Sequence, residues 1–346
     1  MHAWRVVRPG PIRTGPLIFT ECPDPRPGPD EVLLKVRVCG VCRTDLHLAE
    51  GDLAPKHDGT VPGHEVVGEV LKCGTHAKRF RRGERVGVAW LGGTCGSCRF
   101  CLRGEENLCL HPTFTGWDRD GGYAELVTVS ERFAYRIPDT FTDEEAAPLL
   151  CAGIIGYRAL IRAELPIGGR LGIYGFGASA HLAAQIALYQ GARVYVMTRS
   201  GNARRLALEL GATFAGGAEE EPPDLLDSAI LFAPAGGLVP AALRALDRGG
   251  TLAIAGIHLS DIPPLNYARE LFQERQLRSV TANTRADGEE FFRIASEIPL
   301  RPTVMPYPFS SADKALLDLA EDRVTGAAVL QMAEGAPSKT VYSPAG

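Results

Sequence analysis

The spacing of apolar and polar positions divides the chain into two parts with different predicted secondary structure. Up to about residue 150, apolar and β-branched runs such as Glu31 to Val38 and Arg85 to Ala89 are bounded by glycine and proline, which is typical of strands. Beyond that point, apolar runs alternate with segments whose apolar residues recur at helical spacing. We therefore predict a mostly β first part and an α/β second part with a parallel sheet.

The second part has a regular order of predicted elements. Its apolar runs predict strands over 170–174, 193–197, 228–233 and 251–255, and helices over 178–190, 203–210 and 239–247. After about residue 288 the helix and strand signals are mixed. We expect this tail to pack back on the first part.

Length, charge and composition narrow the class of protein. The chain has 346 residues, 45% of them apolar, and a net charge of −4, which fits two globular domains and disfavours a nucleic-acid partner. The apolar stretches Ala146 to Tyr157 and Ser228 to Leu243 are too short or too broken by proline and glycine to cross a bilayer. Met1 to Gly10 has no apolar core of a signal peptide. We expect a cytoplasmic protein without a membrane partner.

Four of the nine cysteines form a dense cluster in a glycine-rich segment. They have the spacing C-x2-C-x2-C-x7-C and are Cys95, Cys98, Cys101 and Cys109. Four thiolates can surround a zinc ion tetrahedrally, which would stabilise a lobe without doing chemistry. An iron–sulfur cluster or a redox switch is the competing interpretation. A ferredoxin-type run has three residues before its last cysteine and a proline after it, whereas Leu110 follows here.

A second set of metal-ligand residues is scattered along the chain. Cys42, His64 and Cys151 supply a thiolate, an imidazole and a second thiolate, a set that leaves a fourth tetrahedral position open for water or substrate. Taken singly, each residue has an ordinary explanation. A cysteine in an apolar stretch such as that of Cys151 is usually a packing residue.

Two motifs taken together resemble a known family. They are Gly63-His64-Glu65-x-x-Gly68, followed by Gly74 and Ala77, and Cys42-x-Thr44-Asp45-x-His47. Both are similar to motifs of the zinc-dependent medium-chain alcohol dehydrogenases, and in particular of bacterial enzymes that prefer primary alcohols. The four-cysteine segment and the later α/β part occur in the order of that family.

The resemblance implies a fold and its boundaries. It predicts an α/β protein with a mostly β, GroES-like catalytic domain and a Rossmann domain with a doubly wound parallel sheet. Residues 1–153 and 288–346 would form the catalytic domain, with the structural-zinc lobe at about 92–111. Residues 154–287 would form the dinucleotide-binding domain. A homodimer or homotetramer is expected by the same resemblance.

The resemblance also assigns roles residue by residue. Cys42, His64 and Cys151 would ligate a catalytic zinc, so that two Zn²⁺ ions are expected per chain, and Glu65 would lie close enough to reach the metal. Asp45 would orient His64. The alcohol proton would pass from Thr44 towards the nicotinamide ribose and His47, although His47 can also be an exposed loop histidine. Arg43 would lie near the cofactor pyrophosphate.

A glycine-rich turn predicts the cofactor site. Gly175-x-Gly177-x-x-Ala180 lies between a predicted strand and helix and matches the dinucleotide fingerprint with alanine in third place. The flanking residues of the expected site are Gly172, Phe176 and Ala178. A plain strand–helix turn is the alternative. Gly177 would let the backbone approach the pyrophosphate at the helix N-terminus.

The end of the second strand bears on the choice of cofactor. No acidic residue occurs there to hold a ribose 2′-hydroxyl; instead the chain has Thr198, Arg199 and Ser200, which can bind a 2′-phosphate. We expect NADP to be favoured over NAD, although Thr198 bonding to the ribose would leave NAD acceptable. Relatives commonly have arginine near the C-terminus where this chain has Ala327. Either Arg285 or another group substitutes for it, or phosphate binding is weaker there.

The substrate would be a small alcohol or aldehyde, with short or aromatic primary alcohols favoured. Trp90 and Trp117 are candidate pocket walls, although both can be ordinary core residues. A polyol or amino-alcohol dehydrogenase of the same fold is a second hypothesis. A non-catalytic zinc- or nucleotide-binding relative is a third, but such a protein would not need an open metal site.

Overall fold

A computed structural model describes residues 1–332, and its first part is built on a mixed sheet. The seven-stranded sheet has the order β16-β17-β3-β4-β5-β9, with β8 also paired to β3. Two strand pairs, β1–β2 and β6–β7, lie beside it. The strands of this part are β1 His2–Val6, β2 Leu17–Glu21, β3 Glu31–Val41, β4 Val66–Cys73, β5 Arg85–Val88, β6 Leu91–Gly93, β7 Thr113–Phe114, β8 Leu126–Ser130, β9 Ala134–Arg136, β16 Val304–Pro308 and β17 Ala327–Gln331.

The second part is a parallel six-stranded sheet in the order β12-β11-β10-β13-β14-β15. In chain order this is 3-2-1-4-5-6, the arrangement of a dinucleotide-binding sheet. Its strands are β10 Arg170–Tyr174, β11 Arg193–Met197, β12 Phe214–Gly216, β13 Leu226–Leu231, β14 Leu246–Ile254 and β15 Gln276–Ser279. The predicted fold class, a mostly β domain beside a Rossmann sheet, is confirmed.

Within residues 1–332, ten α-helices complete the fold. They are α1 Arg43–Glu50, α2 Arg99–Leu102, α3 Asp143–Pro148, α4 Ile154–Ala163, α5 Ala178–Tyr189, α6 Gly201–Glu209, α7 Val239–Ala245, α8 Tyr267–Glu270, α9 Arg285–Glu297 and α10 Ala312–Ala320. In the tail, β16 and β17 join the first sheet through the antiparallel pairing of β17 with β3. The expected return of the chain to its first part is thus observed. The catalytic-domain boundary proposed at residue 346 lies outside the described residues.

One helical stretch joins the two parts. Asp143–Ala163 runs through α3, a π-helical turn at Leu149–Gly153 and α4. By length and composition this stretch could cross a membrane, but most of it is buried in the interior, as in a core helix. Pro148, which has no N–H to donate, immediately precedes the π turn. The turn places Cys151 at the junction of the two parts.

Candidate active site and metal centres

The first cluster of donor atoms lies where segments of both parts of the chain meet. Cys42 follows β3, His64 precedes β4, and the antiparallel pairing of these strands places the two residues side by side. Cys151 reaches the same point from the π turn. The Sγ atoms of Cys42 and Cys151 are 3.9 Å apart. With a carboxylate oxygen of Glu65, all four ligand atoms lie within 4.8 Å of one another. We call these four residues the junction cluster.

A buried carboxylate fixes the orientation of this cluster. One Asp45 oxygen accepts from the backbone N–H of Gly63 at 3.0 Å and lies 3.3 Å from Nδ1 of His64. The other accepts from the N–H of Cys42 at 2.9 Å and from the hydroxyl of Tyr123 at 3.4 Å. Because Nδ1 of His64 faces Asp45, its Nε2 is turned towards the cluster, as a metal-ligating imidazole requires.

The charges in the cluster suit a cation. A hydrogen bond with Cys151 and the neighbouring His64 hold the pKa of the Cys42 thiol well below its ordinary value, although burial opposes this shift. Burial, with Cys42 close by, raises the pKa of Glu65 well above the usual range. The thiolate is the form of cysteine that binds metal. The donor set of Cys42, His64 and Cys151 therefore fits a zinc ion, and these three ligands leave one tetrahedral position over, within reach of Glu65.

The second cluster lies in an exposed lobe between β6 and β7. Sulfur–sulfur distances of 3.5 Å for Cys95–Cys109, 3.6 Å for Cys98–Cys101 and 3.9 Å for Cys95–Cys101 are close to the roughly 3.8 Å that tetrahedral Zn–S bonds of about 2.3 Å produce. Backbone N–H groups of Cys101 and Leu110 lower the pKa of the Cys98 thiol to about 6. We call these four cysteines the lobe cluster. Its donor set fits a closed zinc site.

The remaining predicted catalytic residues lie around the junction cluster. Thr44, in the first turn of α1, has its hydroxyl 3.8 Å from Sγ of Cys42. One turn further, His47 has Nδ1 at 2.9 Å from a carboxylate oxygen of Asp52. Arg43 points outward and pairs with Asp322, in the turn after α10.

Three aromatic rings form a wall beside His64. Trp90 meets His64 edge-on, with ring centroids 5.1 Å apart. Phe114 stacks on Trp90 with ring centroids 4.9 Å apart. Trp117 also stacks on Trp90, with centroids 6.0 Å apart and ring planes inclined by only 10°. The indole N–H of Trp117 donates to the carbonyl of Ala54 at 2.8 Å, which fixes that ring. Trp90 thus contacts the predicted metal ligand His64, whereas Trp117 contacts Trp90 and Phe114. Phe114 is a third member of the wall that the sequence pattern did not indicate.

The glycine-rich turn lies at the carboxyl end of β10. Gly175 has φ +86°, and a Cβ there would approach the backbone of Ala233 to 2.8 Å, so glycine is required. A Cβ on Gly177 would meet nothing within 4 Å, which leaves open space at the N-terminus of α5. This space suits a pyrophosphate group. Phe176 and Ala178 flank Gly177 in this turn.

Two small residues near the glycine-rich turn, Gly172 and Ala180, contribute to packing. Gly172 lies in the middle of β10, where a Cβ would collide with Leu226. Ala180 is fully buried in α5. Gly172 lies inside β10, before its carboxyl end at Tyr174, and faces Leu226, so its role is packing and not the expected cofactor contact.

The predicted residues for the adenosine end follow β11 directly. Thr198 is nearly buried, whereas Arg199 and Ser200 are exposed. Ser200 also caps α6, because its side chain accepts from the N–H of Ala203 at 3.3 Å. Arg285 has a different partner: its guanidinium donates to both carboxylate oxygens of Glu106 in the lobe, at 2.7 to 3.0 Å. This ion pair replaces the phosphate contact considered for Arg285.

Comparison with known proteins gives two family matches. Residues 28–139 match the alcohol dehydrogenase GroES-like domain, and residues 180–297 match the zinc-binding dehydrogenase domain. A "probable alcohol dehydrogenase AdhA" of Mycobacterium tuberculosis is 59% identical over 335 residues, which is 95% of this chain and 97% of that protein. An alcohol dehydrogenase of Geobacillus stearothermophilus is 34% identical over 88% of this chain and 92% of its own.

Solved structures agree with these sequence matches. A cinnamyl alcohol dehydrogenase of Sorghum bicolor superposes with a TM-score of 0.87 at 27% identity, covering 95% of this chain and 97% of the sorghum chain. The family models, the relatives and the fold point to one conclusion: this chain belongs to the zinc-binding medium-chain alcohol dehydrogenases.

Proposed function

We propose that the junction cluster and the lobe cluster each hold one zinc ion and that only the junction cluster takes part in the reaction. Cys42, His64 and Cys151 would hold the catalytic ion, with Glu65 within reach of it. When bound, the ion supplies a Lewis acid that strengthens the acidity of the alcohol, and the nicotinamide cofactor accepts the hydride. The observation that carries this proposal is the close approach of the sulfur, nitrogen and sulfur donors of Cys42, His64 and Cys151, with the imidazole of His64 oriented by the buried Asp45.

The route of the proton follows from the side chains around this set. Thr44 is placed to accept the alcohol proton, since its hydroxyl lies beside Cys42. From Thr44 the proton would move on towards His47, one turn further along α1. Asp52 engages Nδ1 of His47, so the other ring nitrogen, Nε2, can receive it.

Primary alcohols with a flat aromatic group are the proposed preferred substrates. The stacked rings of Trp90, Phe114 and Trp117 form an aromatic wall beside His64, against which such a group can pack. Relatives named cinnamyl alcohol dehydrogenases fit this preference; one from Medicago truncatula is 38% identical over 66% of this chain.

The test is a substrate panel of ethanol, butanol, benzyl alcohol, cinnamyl alcohol and a branched secondary alcohol. We expect the highest kcat/KM for the aromatic primary alcohols. Trp90→Ala should lower this preference by about tenfold, because each stacking contact is worth about 0.5–1.5 kcal/mol beyond the buried area. Tyr189→Ala, which removes an exposed ring at the end of α5, should change nothing. Equal kcat/KM values for ethanol and cinnamyl alcohol in the unmodified enzyme would refute the preference.

NADP is the proposed preferred cofactor. Arg199 is exposed at the carboxyl edge of the sheet beside Thr198 and Ser200, and no acidic side chain occurs in 196–202 to repel a 2′-phosphate. Arg199→Ala should reduce the NADP to NAD ratio of kcat/KM by about tenfold or more. Arg193→Ala is the matched control, because Arg193 begins the same strand at its opposite end. A native preference for NAD that Arg199→Ala leaves unchanged would disprove the proposal.

A homodimer or homotetramer in the cytoplasm is the proposed state of the enzyme. The support is the membership of this chain in the family. Light scattering of the purified protein would decide between these states, and a monomer would contradict both.

A further inference from the structure

A second histidine lies against His47. The ring of His258 packs on the ring of His47 with centroids 4.0 Å apart and planes inclined by 40°. His47 belongs to α1 of the catalytic part, whereas His258 belongs to the loop that follows β14 of the dinucleotide-binding sheet. The contact therefore spans the cleft between the two parts of the enzyme, at the carboxyl edge of the parallel sheet.

The loop holds His258 in an uncommon conformation. His258 has φ +53°, in the left-handed region that few residues other than glycine adopt. Two residues on, the side chain of Ser260 accepts from the N–H of Gly236 at 2.9 Å, and a Cβ on Gly236 would collide with the backbone of Ser260 and Asp261. These contacts with Gly236 hold the loop against the dinucleotide-binding sheet. Such support is needed, because a left-handed residue persists only where its surroundings determine its conformation.

The exposure of the two rings argues against ordinary core packing. His258 is exposed, while the side chain of His47 retains only 20% of its accessible surface. His258 therefore covers His47 from the solvent side of the cleft. On its other side His47 is bound through Nδ1 to Asp52. The imidazole of His47 is consequently held by two neighbours: His258 packs on the face of the ring, and Asp52 binds its Nδ1.

We propose that His258 is a positioning residue, which holds the ring of His47 in the orientation that lets Nε2 receive the substrate proton. Because His258 comes from the opposite side of the cleft, this support exists only while the two parts of the enzyme are together. The inference rests on the proposed role of His47 as proton acceptor. A displacement of about 1 Å in such a group is enough to slow a reaction markedly.

The first test measures the contact itself and needs neither zinc nor turnover. Ethoxycarbonylation by diethyl pyrocarbonate, mapped by mass spectrometry, reports how accessible the ring of His47 is. His258→Ala should raise the rate of modification at His47 about threefold or more, while His258→Phe, which keeps a flat ring, should leave it near the wild-type rate. Modification of His76, far from the cleft, serves as the internal standard. An unchanged rate at His47 in His258→Ala would overturn the contact.

The second test measures the consequence for proton transfer. In a buffer without small bases, His258→Ala should lower kcat for alcohol oxidation about tenfold, and added imidazole should restore much of the loss, because a free base can replace a misplaced acceptor. His258→Phe should remain within about twofold of wild type. A damaged fold or cofactor site would not respond to imidazole. A loss in His258→Ala that imidazole leaves untouched, or an equal loss in His258→Phe, would refute the positioning role.

His47→Gln separates this inference from the proposal on which it rests. If His47→Gln is as active as wild type, the proposed relay itself is wrong. If His47→Gln is slow and imidazole restores it, but His258→Ala has wild-type kcat, the relay stands and only the role of His258 is wrong. The double variant His47→Gln/His258→Ala should be no slower than His47→Gln alone, since His258 acts through His47.

Discussion

The two proposed zinc sites of this enzyme are built in opposite ways. The lobe cluster takes all its ligands from 15 consecutive residues, in a loop whose own backbone N–H groups donate to the sulfur atoms. The junction cluster takes its ligands from three distant segments, and 109 positions separate Cys42 from Cys151. The lobe cluster is partly exposed, whereas His64 and Glu65 are almost wholly buried.

This difference explains what each cluster can do. A site made of one loop needs little of the rest of the fold, but its four thiolates leave no position for a substrate. A site made of three segments requires the whole fold to be in place. In return it lies at the cleft, next to Trp90 of the aromatic wall and the predicted proton acceptor Thr44. The proposed ligands Cys42, His64 and Cys151 would leave one coordination position open for a substrate. The predictions below test whether the two clusters are as independent as their construction implies.

The largest effect is expected from Cys42→Ser. It should lower kcat/KM for alcohol oxidation about 10³-fold or more, because a Lewis acid at the reacting oxygen is worth several kcal/mol. Metal analysis should show one zinc per chain in the variant and two in the wild type. Cys22→Ser, which changes a cysteine outside both clusters, is the control and should keep both ions and full activity.

The reciprocal variant sharpens the comparison. Cys98→Ser should also remove one zinc, but it should lower the Tm while kcat remains within a few-fold of wild type at 25 °C. If Cys42→Ser retained its activity, or Cys98→Ser abolished turnover in a protein that is still folded, the division between a reacting and a stabilising site would be wrong.

Thr44→Ala should follow in size, with kcat for alcohol oxidation about 10²-fold lower, since a positioned proton acceptor contributes about 10²–10⁴-fold. The zinc content should remain at two ions, because Thr44 is not a ligand. Thr44→Ser retains the hydroxyl and should stay within about fivefold of wild type. A harmless Thr44→Ala would mean that the proton leaves by another group.

Asp45→Asn should have an intermediate effect that is confined to the junction cluster. An amide NH₂ cannot accept, so one side of residue 45 would lose its hydrogen bonds to backbone N–H groups or to His64. Zinc affinity or activity should fall by about 10–100-fold. Competition with a chelator should detect the loss of zinc affinity at the junction cluster, while the affinity of the lobe cluster remains unchanged. Asp120→Asn is the control, because Asp120 also accepts from a backbone N–H, that of Val61, but contacts no ligand residue.

How well each region can be predicted from the sequence depends on the same difference between residues that are neighbours in the chain and residues from distant segments. The lobe cluster can be predicted from the spacing of its cysteines, because its ligands are neighbours in the chain. The parallel-sheet strands β10 and β11 were predicted at their observed bounds, since buried strands are continuous apolar runs. The junction cluster was found only through resemblance to a family, because no local pattern relates Cys151 to Cys42. The π turn that places Cys151 leaves no recognisable signal.

Other departures have local physical causes. The helix predicted over 239–247 ends at Ala245, because Leu246 already belongs to β14 and pairs with Leu226. Phe114 was missed because β7 is only two residues long and lacks a periodic pattern. His258 and Asp52 were missed for other reasons. Asp52 lies five residues beyond His47, in the turn after α1, where the apolar pattern carries no signal for a side-chain contact. His258 lies in a distant loop, and only the folding of the two parts brings it to His47.

The smallest predicted effect tests whether the lobe is truly independent of the rest. Glu106, within the lobe, binds the guanidinium and the backbone N–H of Arg285 at the start of α9, and Asn107 donates to the carbonyl of Thr281 at 2.9 Å. These bonds fasten the lobe to the segment that returns from the parallel sheet. Glu106→Gln should lower the free energy of unfolding by about 1–3 kcal/mol at pH 7, as expected for hydrogen bonds to a charged group.

The pH dependence of this loss identifies its cause. Burial opposes ionisation of Glu106, but Arg285 outweighs it and lowers the pKa of the carboxyl below its usual value. A group with a lowered pKa in the folded state stabilises the fold above its ordinary pKa and loses this contribution as the pH falls through both values. The difference between wild type and Glu106→Gln in denaturant unfolding should therefore shrink below about pH 4.5. Glu105→Gln, whose carboxylate pairs with Arg103 on the lobe surface, should cost little at any pH. Equal losses in the two variants would show that the lobe is not fastened to the fold through Arg285.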